Sequence, residues 1–490
     1  MTKYKLLLAG LVCLIAFNAC DEDKLALVNP NALSPETFLQ TPAQVQSAVN
    51  AIYANLQTRG LYVRHMFFMM DNMGHENEGN SQLEADKRDY LEFDFDASHG
   101  AIGAYWESCY RGINKANYYI GNQEKINEID DAVLPQAVKD MHLGEAKFLR
   151  GLYYFLLVTR FGDIPLITDI PVGGEGVAKS AASEIYTQIV TDLTDATTLL
   201  PSKSDGAYQP GRATSGAAWA MLGKTQLFQE NWAAALAAFG NVTGYSLGSF
   251  EDNFLEETEH GVESIFEVEF DLTLGYSQVW DSDRSGAGLQ EATFRAQEYG
   301  WNNWNNVFPS VDLRNEFEPG DERFALSFYV NGDLYNNGLS VVALPATGQT
   351  AGWRKYQNYY KQPSETNNVS GINFKVIRYA DVLLMMAEAE NEITPGSATA
   401  IGYIDQVRNR AGLANYAGAA TGPAVFDAIV HERRCELAGE QTRFPDLVRW
   451  GLAASTLPNF VAGKSEVFPI PQAEIDANSA LTSADQNSGY

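Results

Sequence analysis

Residues 145–155 read EAKFLRGLYYF, and the chain continues through RFGDIPL at residues 160–166. This stretch lies in a helical pattern that runs from about Leu134 to Arg160, with apolar residues at the spacing of one helix face. Patterns of the same kind run from about Tyr105 to Ile120, Glu184 to Leu200 and Ala213 to Phe239. The sequence therefore predicts a mainly α-helical protein whose amino-terminal part, about residues 41–240, consists of helical hairpins.

Two of these segments carry more detailed signals. Thr41, Pro42 and Gln44 predict a helix start with a capping box, which an apolar stripe through Val45, Val49, Ile52 and Leu56 follows. The segment Ala217 to Phe239 is similar to a tetratricopeptide-type hairpin, with small residues where two helices would approach closely. A strict repeat period is absent, so we expect helix pairs stacked against a larger body.

Residues from about 245 to 370 differ in character. They are rich in Gly, Asn, Asp, Ser and aromatic residues and contain short strand-like runs such as Ser264 to Phe270. Helical patterns resume over about residues 376–490, at Tyr379 to Glu392, Ala398 to Arg410, Ala424 to Gly439 and near Arg449. This order predicts one domain, 41–490, with a loop-rich insertion that carries a few short strands.

The amino terminus predicts export and a lipid anchor. Lys3 and Lys5 precede an apolar run from Leu6 to Phe17, and Cys20 ends a lipobox-like sequence. We expect residues 1–19 to be a signal peptide and residues 20–40 a lipidated acidic tether, with Cys20 acylated. Ordinary secretion is the alternative, because Phe17 stands where a leucine is usual.

The net charge limits the ligands that the protein can bind, and the cysteine content limits its disulfide bonds. The formal net charge of -28 repels nucleic acid and anionic lipid and favours a neutral ligand over a polyanionic one. Cys109 and Cys435 both lie in helical patterns, so two buried thiols are expected, although one bridge between them remains open.

Three blocks of sequence carry a family resemblance. They comprise residues 145–166; residues 377–389 with 407–413; and residues 432–451 with 468–471. Together these blocks resemble the SusD/RagB family of outer-membrane nutrient-binding lipoproteins over essentially the whole mature chain. The resemblance implies a SusD-like fold and a surface lipoprotein that presents a nutrient to a SusC-like TonB-dependent transporter. The acidic run after Cys20 resembles a signal for export to the exterior face of the outer membrane.

The charged residues of these blocks are interpreted as structural. Arg378, Asp381 and Glu388 are expected to pair locally, and Arg408 and Arg410 to precede a helix end at Gly412. Glu432, Arg433, Arg434, Glu436, Asp446 and Arg449 are expected to form a paired network, because buried charges without partners are costly.

Signals of catalysis are weak, and the sequence predicts a protein that is not an enzyme. The six histidines form no zinc-binding pattern, and Gly244 to Gly248, which matches a nucleophile elbow in letters, lacks the required strand before it. No cofactor is expected. Structural calcium is left open, without an EF-hand motif to support it.

Two polar, aromatic segments are candidate ligand sites. Aromatic faces suit sugar rings, and amides and carboxylates suit their hydroxyls. The predicted ligand-binding residues are Trp301, Trp304, Trp280, Tyr276, Asn303, Asp71, Asn77 and Asn80. We expect the three tryptophans to form a platform with Asn77 and Asn80 opposite it. The alternatives are a loop that tucks both Trp301 and Trp304 into the core, and polar turn-making at residues 71–80.

The function expected from these observations is binding of an oligosaccharide at the cell surface and its delivery to the transporter. A peptide-binding relative of SusD/RagB, a tetratricopeptide-type docking scaffold and a surface glycoside hydrolase are the alternatives.

Overall fold

The computed structural model describes residues 38–170, 174–275, 291–346, 348–361 and 369–490. In these ranges the α-helices, numbered in chain order, are α1 Pro42–Ala54, α2 His65–Met73, α3 Ala85–Glu92, α4 Gly100–Gly121, α5 Gln123–Asn127, α6 Gln136–Phe161, α7 Ala182–Leu199, α8 Ser215–Phe228, α9 Trp232–Phe239, α10 Arg295–Tyr299, α11 Val311–Glu316, α12 Glu322–Ser327, α13 Tyr379–Ile393, α14 Ala398–Arg410, α15 Gly422–Glu436, α16 Arg443–Arg449, α17 Ala453–Thr456 and α18 Gln472–Ala477. The prediction of a mainly helical fold is confirmed.

The strands are short and form two-stranded antiparallel pairs. They are β1 Asn77–Gly79, β2 Ile164–Pro165, β3 Lys179–Ser180, β4 Ser264–Val268, β5 Val307–Pro309, β6 Phe328–Tyr329, β7 Leu334–Tyr335, β8 Ser340–Val341, β9 Gly352–Trp353 and β10 Phe374–Arg378. The pairs are β1 with β5, β2 with β3, β4 with β10, β6 with β9 and β7 with β8. Two of these pairs, β1 with β5 and β4 with β10, join segments far apart in the chain, so they fasten the insertion to the segments on either side of it.

The amino-terminal helices follow the predicted stripes within a few residues at their ends. At α1 the hydroxyl of Thr41 accepts a hydrogen bond from the backbone N–H of Gln44 at 3.3 Å, and the Gln44 side chain accepts one from the Thr41 N–H at 3.2 Å. The predicted capping box is therefore present. Val45, Val49 and Ile52 are fully buried on the inner face of this helix.

The hairpin of α8 and α9 confirms the predicted close approach of two helices. A Cβ atom placed on Gly223 of α8 would lie 2.4 Å from the ring of Phe239 at the end of α9. Real Cβ contacts are longer than this, so only glycine allows the ring to pack there. The small residues of this segment thus act in packing.

The same kind of contact fixes α4 against α6 and gives a testable prediction. A Cβ at Gly112 would lie 2.4 Å from the buried ring of Tyr153, whereas Gly103 in the same helix has nothing within 4 Å of such an atom. We expect Gly112→Ala to lower the free energy of unfolding by about 1–3 kcal/mol through overpacking. Gly103→Ala, the matched control, should raise it by about 0.5–1 kcal/mol through helix propensity.

Chemical denaturation of the two variants checks this prediction. Equal effects of both substitutions would show that the Tyr153 ring moves aside without cost.

The insertion contains more regular structure than the sequence indicated. The strand-like run at residues 264–270 is β4, which pairs with β10 directly before α13. The helices α10, α11 and α12 were not expected, because each is only five or six residues long and carries no extended apolar stripe.

The charged residues of the third block, residues 432–451, form a buried network, as predicted. Arg433 bonds Asp381 at 2.8 Å and Asp446 at 2.7 Å, while Glu388 accepts from Arg449 at 2.7 Å. The local pairing expected among Arg378, Asp381 and Glu388 is wrong, because each of them pairs with a residue of another element. Arg378, the last residue of β10, pairs with Glu263, Glu436 and Glu440. Gly412 has φ +78° just after α14, as expected for a left-handed helix end.

Cys109 and Cys435 are both buried and unbridged, which confirms the expectation of two thiols. Across the ranges that the structure describes, none of the helices combines the length and apolarity needed to cross a bilayer. Cys20 lies outside the described residues, so its acylation stays a prediction.

Candidate ligand-binding surface

The fold brings the two candidate segments of the sequence together. Strand β1, which begins at Asn77, pairs antiparallel with β5, so that Asn77 faces Pro309 and Gly79 faces Val307. Directly after β1, the backbone N–H of Asn80 donates to the Asn306 carbonyl at 3.0 Å, and its side-chain amide donates to the Asn305 carbonyl at 2.6 Å. Residues 77–80 and 301–309 therefore form one surface element.

The side chains of Asp71 and of Asn77, the first residue of β1, are fully buried. The Tyr299 hydroxyl donates to Asp71 Oδ2 at 2.8 Å, and the amide of Asn77 donates to that same hydroxyl at 3.1 Å. Asn77 Oδ1 in turn accepts from the Trp353 indole N–H at 2.8 Å. The structure corrects the prediction for these two residues: they support the surface from inside and do not face a ligand.

Trp301 is also placed differently from the prediction. Its side chain is only 6% exposed and packs in a small aromatic cluster beside the main core. Tyr335 contacts it edge-on with ring centroids 5.2 Å apart, and Tyr359 lies 5.5 Å away. Because the cluster surrounds the indole, Trp301 cannot offer its face to a sugar, and it anchors the loop instead.

Trp304 remains at the surface, with 46% of its area exposed. Its backbone N–H donates to the Gln297 carbonyl at 3.1 Å, and the backbone N–H of Asn303, a half-buried residue, donates to the Gly300 carbonyl at 3.0 Å. The loop thus tucks in one of its two tryptophans and presents the other.

Buried bonds fix the residues that follow Trp304. The Asn305 amide donates to Gln349 at 2.7 Å, and the Asn306 amide donates to the carboxylate of Glu298 at 2.5 Å. Arg64 bonds the same carboxylate at 2.6 Å. The backbone that carries the Trp304 indole is therefore held in place, so little loop freedom remains to be lost on binding.

Beside this loop stands a hairpin that the sequence analysis missed. Strands β7 and β8 place Leu334 opposite Val341, and both side chains are about 60% exposed, as is Leu339. Tyr335 packs inward on Trp301, which joins the hairpin to the loop that carries Trp304. The sequence does contain a signal for this hairpin, since Asn337-Gly338 between apolar segments is typical of a β-hairpin turn.

Tyr276 and Trp280 lie outside the described residues, so their predicted role in binding stays a prediction. We define the Trp304 surface as Asn80, Asn303, Trp304 and the outer face of the β7–β8 hairpin.

Two models of known protein families match this chain. Residues 262–465 match a model described as "SusD family", and residues 25–227 match one described as "Starch-binding associating with outer membrane". The chain belongs to the SusD family.

Individual relatives of this SusD-family chain agree in length and shape. SusD-like protein P2 of Formosa agariphila is 28% identical, and the match covers 100% of both chains. A SusD superfamily protein from Bacteroides vulgatus is 28% identical with a TM-score of 0.77, over 93% of this chain and 100% of its own. A structure titled laminarin-binding SusD-like protein is 27% identical with a TM-score of 0.75, over 92% and 100%. The expected family and fold are confirmed.

The structure also contains a large groove away from the Trp304 surface. A groove of about 1100 Å³ lies between the start of α4 and α18, lined in part by Arg59, Trp106, Tyr110 and Glu474. The Trp106 indole in that groove is only 3% exposed and donates to Glu474 at 3.3 Å. Trp106 therefore does not offer this groove the open indole face that Trp304 provides.

Within the described ranges, two groups combine a histidine with carboxylates as a metal site would: His260 with Glu267 and Glu269, and His431 with Glu318 and Glu432. In the first, Lys375 lies 2.8 Å from Glu267, and in the second, Arg408 lies 2.6 Å from Glu318. These cations already balance the carboxylates, so both groups act as ion pairs in this structure. Calcium binding in the acidic loops stays an open expectation.

Glu76, at the turn that leads into β1, is expected to make the stability of the folded protein depend on pH. Its side chain is buried; Oε2 accepts from the Gly439 N–H at 2.9 Å, and Oε1 has no hydrogen-bond partner among the described residues. Burial, together with the charge of Asp71, raises the pKa of Glu76 to about 8, against the opposing influence of Arg434 and Arg443.

Because this pKa is raised in the folded state, the stability contributed by protonated Glu76 is complete below its ordinary pKa of 4.5. It is lost as the pH rises through about 8. We expect the free energy of unfolding of Glu76→Gln to match that of the parent protein near pH 4 and to exceed it by about 1–3 kcal/mol at pH 8 to 9. Urea denaturation across this pH range tests the expectation, and a stability difference that does not change with pH would contradict it.

Proposed function

We propose that this SusD-family chain binds a neutral oligosaccharide nutrient at the Trp304 surface and delivers it to a SusC-like TonB-dependent transporter. The exposed indole of Trp304 on its hydrogen-bonded frame is the observation that carries the proposal. A flat aromatic face packs against the apolar C–H face of a sugar ring, and amides such as that of Asn303 bond vicinal hydroxyls.

The likeness to the laminarin-binding structure supports a glycan as the ligand, since that protein is 27% identical and is matched along its whole length. The net charge of -28 disfavours a polyanionic glycan, because ligand and protein would repel each other at long range. A neutral glycan is therefore the expected class.

The proposed location is the outer face of the outer membrane. The family description of residues 25–227 supports association with that membrane, and acylation of Cys20 would provide the anchor. Delivery to the transporter follows from the family resemblance alone.

We further propose that binding proceeds without catalysis. Among the described residues, the charged clusters at α13 to α16 are engaged in ion pairs, as Glu436 with Arg378 and Asp446 with Arg433 illustrate. Both pairs are buried.

An array of neutral glycans, acidic glycans and peptides, probed with the purified protein lacking residues 1–19, tests the proposed function. Saturable binding to a neutral glycan, with the glycan recovered intact, is the expected result. Preference for peptides would favour the peptide-binding alternative, cleavage products would favour a hydrolase, and the absence of any binding would favour a docking scaffold. Each of these three outcomes would overturn the proposal.

A further inference from the structure

A small cavity lies inside the helical body, away from the Trp304 surface. It has a volume of about 50 Å³ and lies where α6, α8, β10 and α16 meet. Its lining includes Tyr62, Met66, Arg160, Lys224, Arg433 and Gln441. A cavity of this size holds a few water molecules or one small ion, since about 10–15 Å³ of such space accommodates one water.

Arg160, at the end of α6, presents a buried positive charge to this cavity. Arg160 is 5% exposed, and no carboxylate among the described residues forms a salt bridge with it. The bonds it makes are to uncharged atoms: Nε lies 2.9 Å from the Met70 sulfur, and Nη1 donates to the Thr159 carbonyl at 3.3 Å. A guanidinium remains protonated when buried, so it requires a compensating negative charge.

Two carboxylates, those of Glu440 and Asp446, also line the cavity, and each is engaged with two other cations. Asp446 bonds Arg433 at 2.7 Å and Arg449 at 2.9 Å. Glu440 bonds Arg378 at 2.7 Å and Lys355 at 3.0 Å. These ion pairs leave the guanidinium of Arg160 as the excess charge at the cavity.

Lys224 and Arg433 add positive potential on a second wall. Both bond the same carboxylate, Asp381, at 3.1 Å and 2.8 Å. One shared carboxylate cannot fully compensate two cations, although Asp446 contributes on the Arg433 side.

Gln441 supplies a polar group without a partner. It is 5% exposed, adopts φ +65°, and neither its amide nitrogen nor its amide oxygen has a hydrogen-bond partner among the described residues. Leaving a buried amide unsatisfied is costly, so its position on the cavity wall indicates that the cavity is occupied by a group that accepts or donates hydrogen bonds.

We propose that this cavity is a binding site for one small monovalent anion, chloride in a saline medium, held by the guanidinium of Arg160 and the amide N–H of Gln441. The anion supplies the charge that Arg160 lacks and accepts the bond that Gln441 offers. The cavity volume and the neighbouring Glu440 and Asp446 exclude larger or multiply charged anions.

Bromide is the probe for this site, because it replaces chloride and gives an anomalous diffraction signal. Crystals of the protein grown or soaked in sodium bromide should show an anomalous peak in the cavity, within contact of Arg160 and Gln441. A peak at that position supports the proposal, and its absence at saturating bromide overturns it.

Thermal unfolding tests whether Arg160 anchors the anion. At equal ionic strength, the unfolding midpoint should be about 1–3 °C higher in sodium chloride than in sodium gluconate, because an ion that binds only the folded state stabilises it. Arg160→Met should abolish this difference, whereas Arg111→Met, on the surface of α4, should keep it. If Arg160→Met kept the whole difference between the midpoints in chloride and gluconate, the role given to Arg160 would be overturned. If that variant fails to fold, the bromide experiment still tests the proposal.

Discussion

Replacing Glu436 with glutamine is expected to lower the free energy of unfolding by about 3–5 kcal/mol, the largest effect on stability foreseen for a single side chain here. Glu436 is fully buried at the end of α15, and its carboxylate accepts hydrogen bonds from Arg323, Arg378 and Arg410. Glutamine keeps the shape but removes the charge, so three buried guanidinium groups lose their common partner.

The pH dependence of this effect has a defined sign. Burial alone would raise the pKa of Glu436, but Arg410, Arg378 and Arg323 outweigh burial and hold it well below its usual range. Because the folded pKa is depressed, the stability from this carboxylate is present above its ordinary pKa of 4.5 and is lost as the pH falls through the folded value. Glu436→Gln should therefore differ most from the parent protein near neutral pH and less in acid.

Urea denaturation of Glu436→Gln and of Glu128→Gln measures the effect against a control. Glu128 is exposed after α5, so its substitution should change the free energy of unfolding by less than about 0.5 kcal/mol. If both variants were equally stable, the network would not contribute in the way its geometry indicates.

Replacing Trp304 with alanine should weaken binding of the neutral glycan identified on the array about tenfold to a hundredfold, which corresponds to about 1.4–2.8 kcal/mol. The indole is 46% exposed, so the substitution removes contact area for the ligand while it removes little from the core. Trp304→Phe keeps an aromatic face and should retain most of the affinity.

Calorimetric titration of the parent protein and both variants with that glycan gives the affinities, and their unfolding midpoints check that the fold is unchanged. If Trp304→Ala kept the full affinity, the glycan would bind elsewhere. If Trp304→Phe lost as much affinity as Trp304→Ala, stacking on an aromatic ring would not be the source of binding.

The helices could be predicted from the sequence because their apolar stripes are local. The stripes in α1, α6 and α7 repeat every three or four residues, and the structure buries Val49, Leu149 and Ile189 as that spacing requires. The need for charge pairing at α15 and α16 was also predictable, because those charges recur within helical segments.

The identity of the charge partners could not be predicted in the same way. Arg378 is paired with Glu263, 115 residues away in sequence, and Arg323 with Glu436, 113 residues away. Such contacts depend on how β4 and α12 pack on the carboxyl-terminal helices, and no local pattern encodes that packing.

The sequence was sufficient to predict which segments form the candidate surface, but not which of their side chains face the solvent. Both polar segments meet at the β1–β5 pair, yet Asp71, Asn77 and Trp301 are turned inward, whereas Trp304 is turned outward. Composition does not distinguish Trp301 from Trp304, three residues apart in one loop. The aromatic cluster of Tyr335 and Tyr359 decides the difference, because it encloses one of the two indoles.

A crystal structure of the protein with its array-selected glycan tests the central claim most directly. We expect a sugar ring to lie against the indole of Trp304, with hydroxyls within hydrogen-bond distance of Asn303 or Asn80. A glycan seated in the groove between α4 and α18, with the Trp304 indole uncovered, would contradict the assignment of the binding surface.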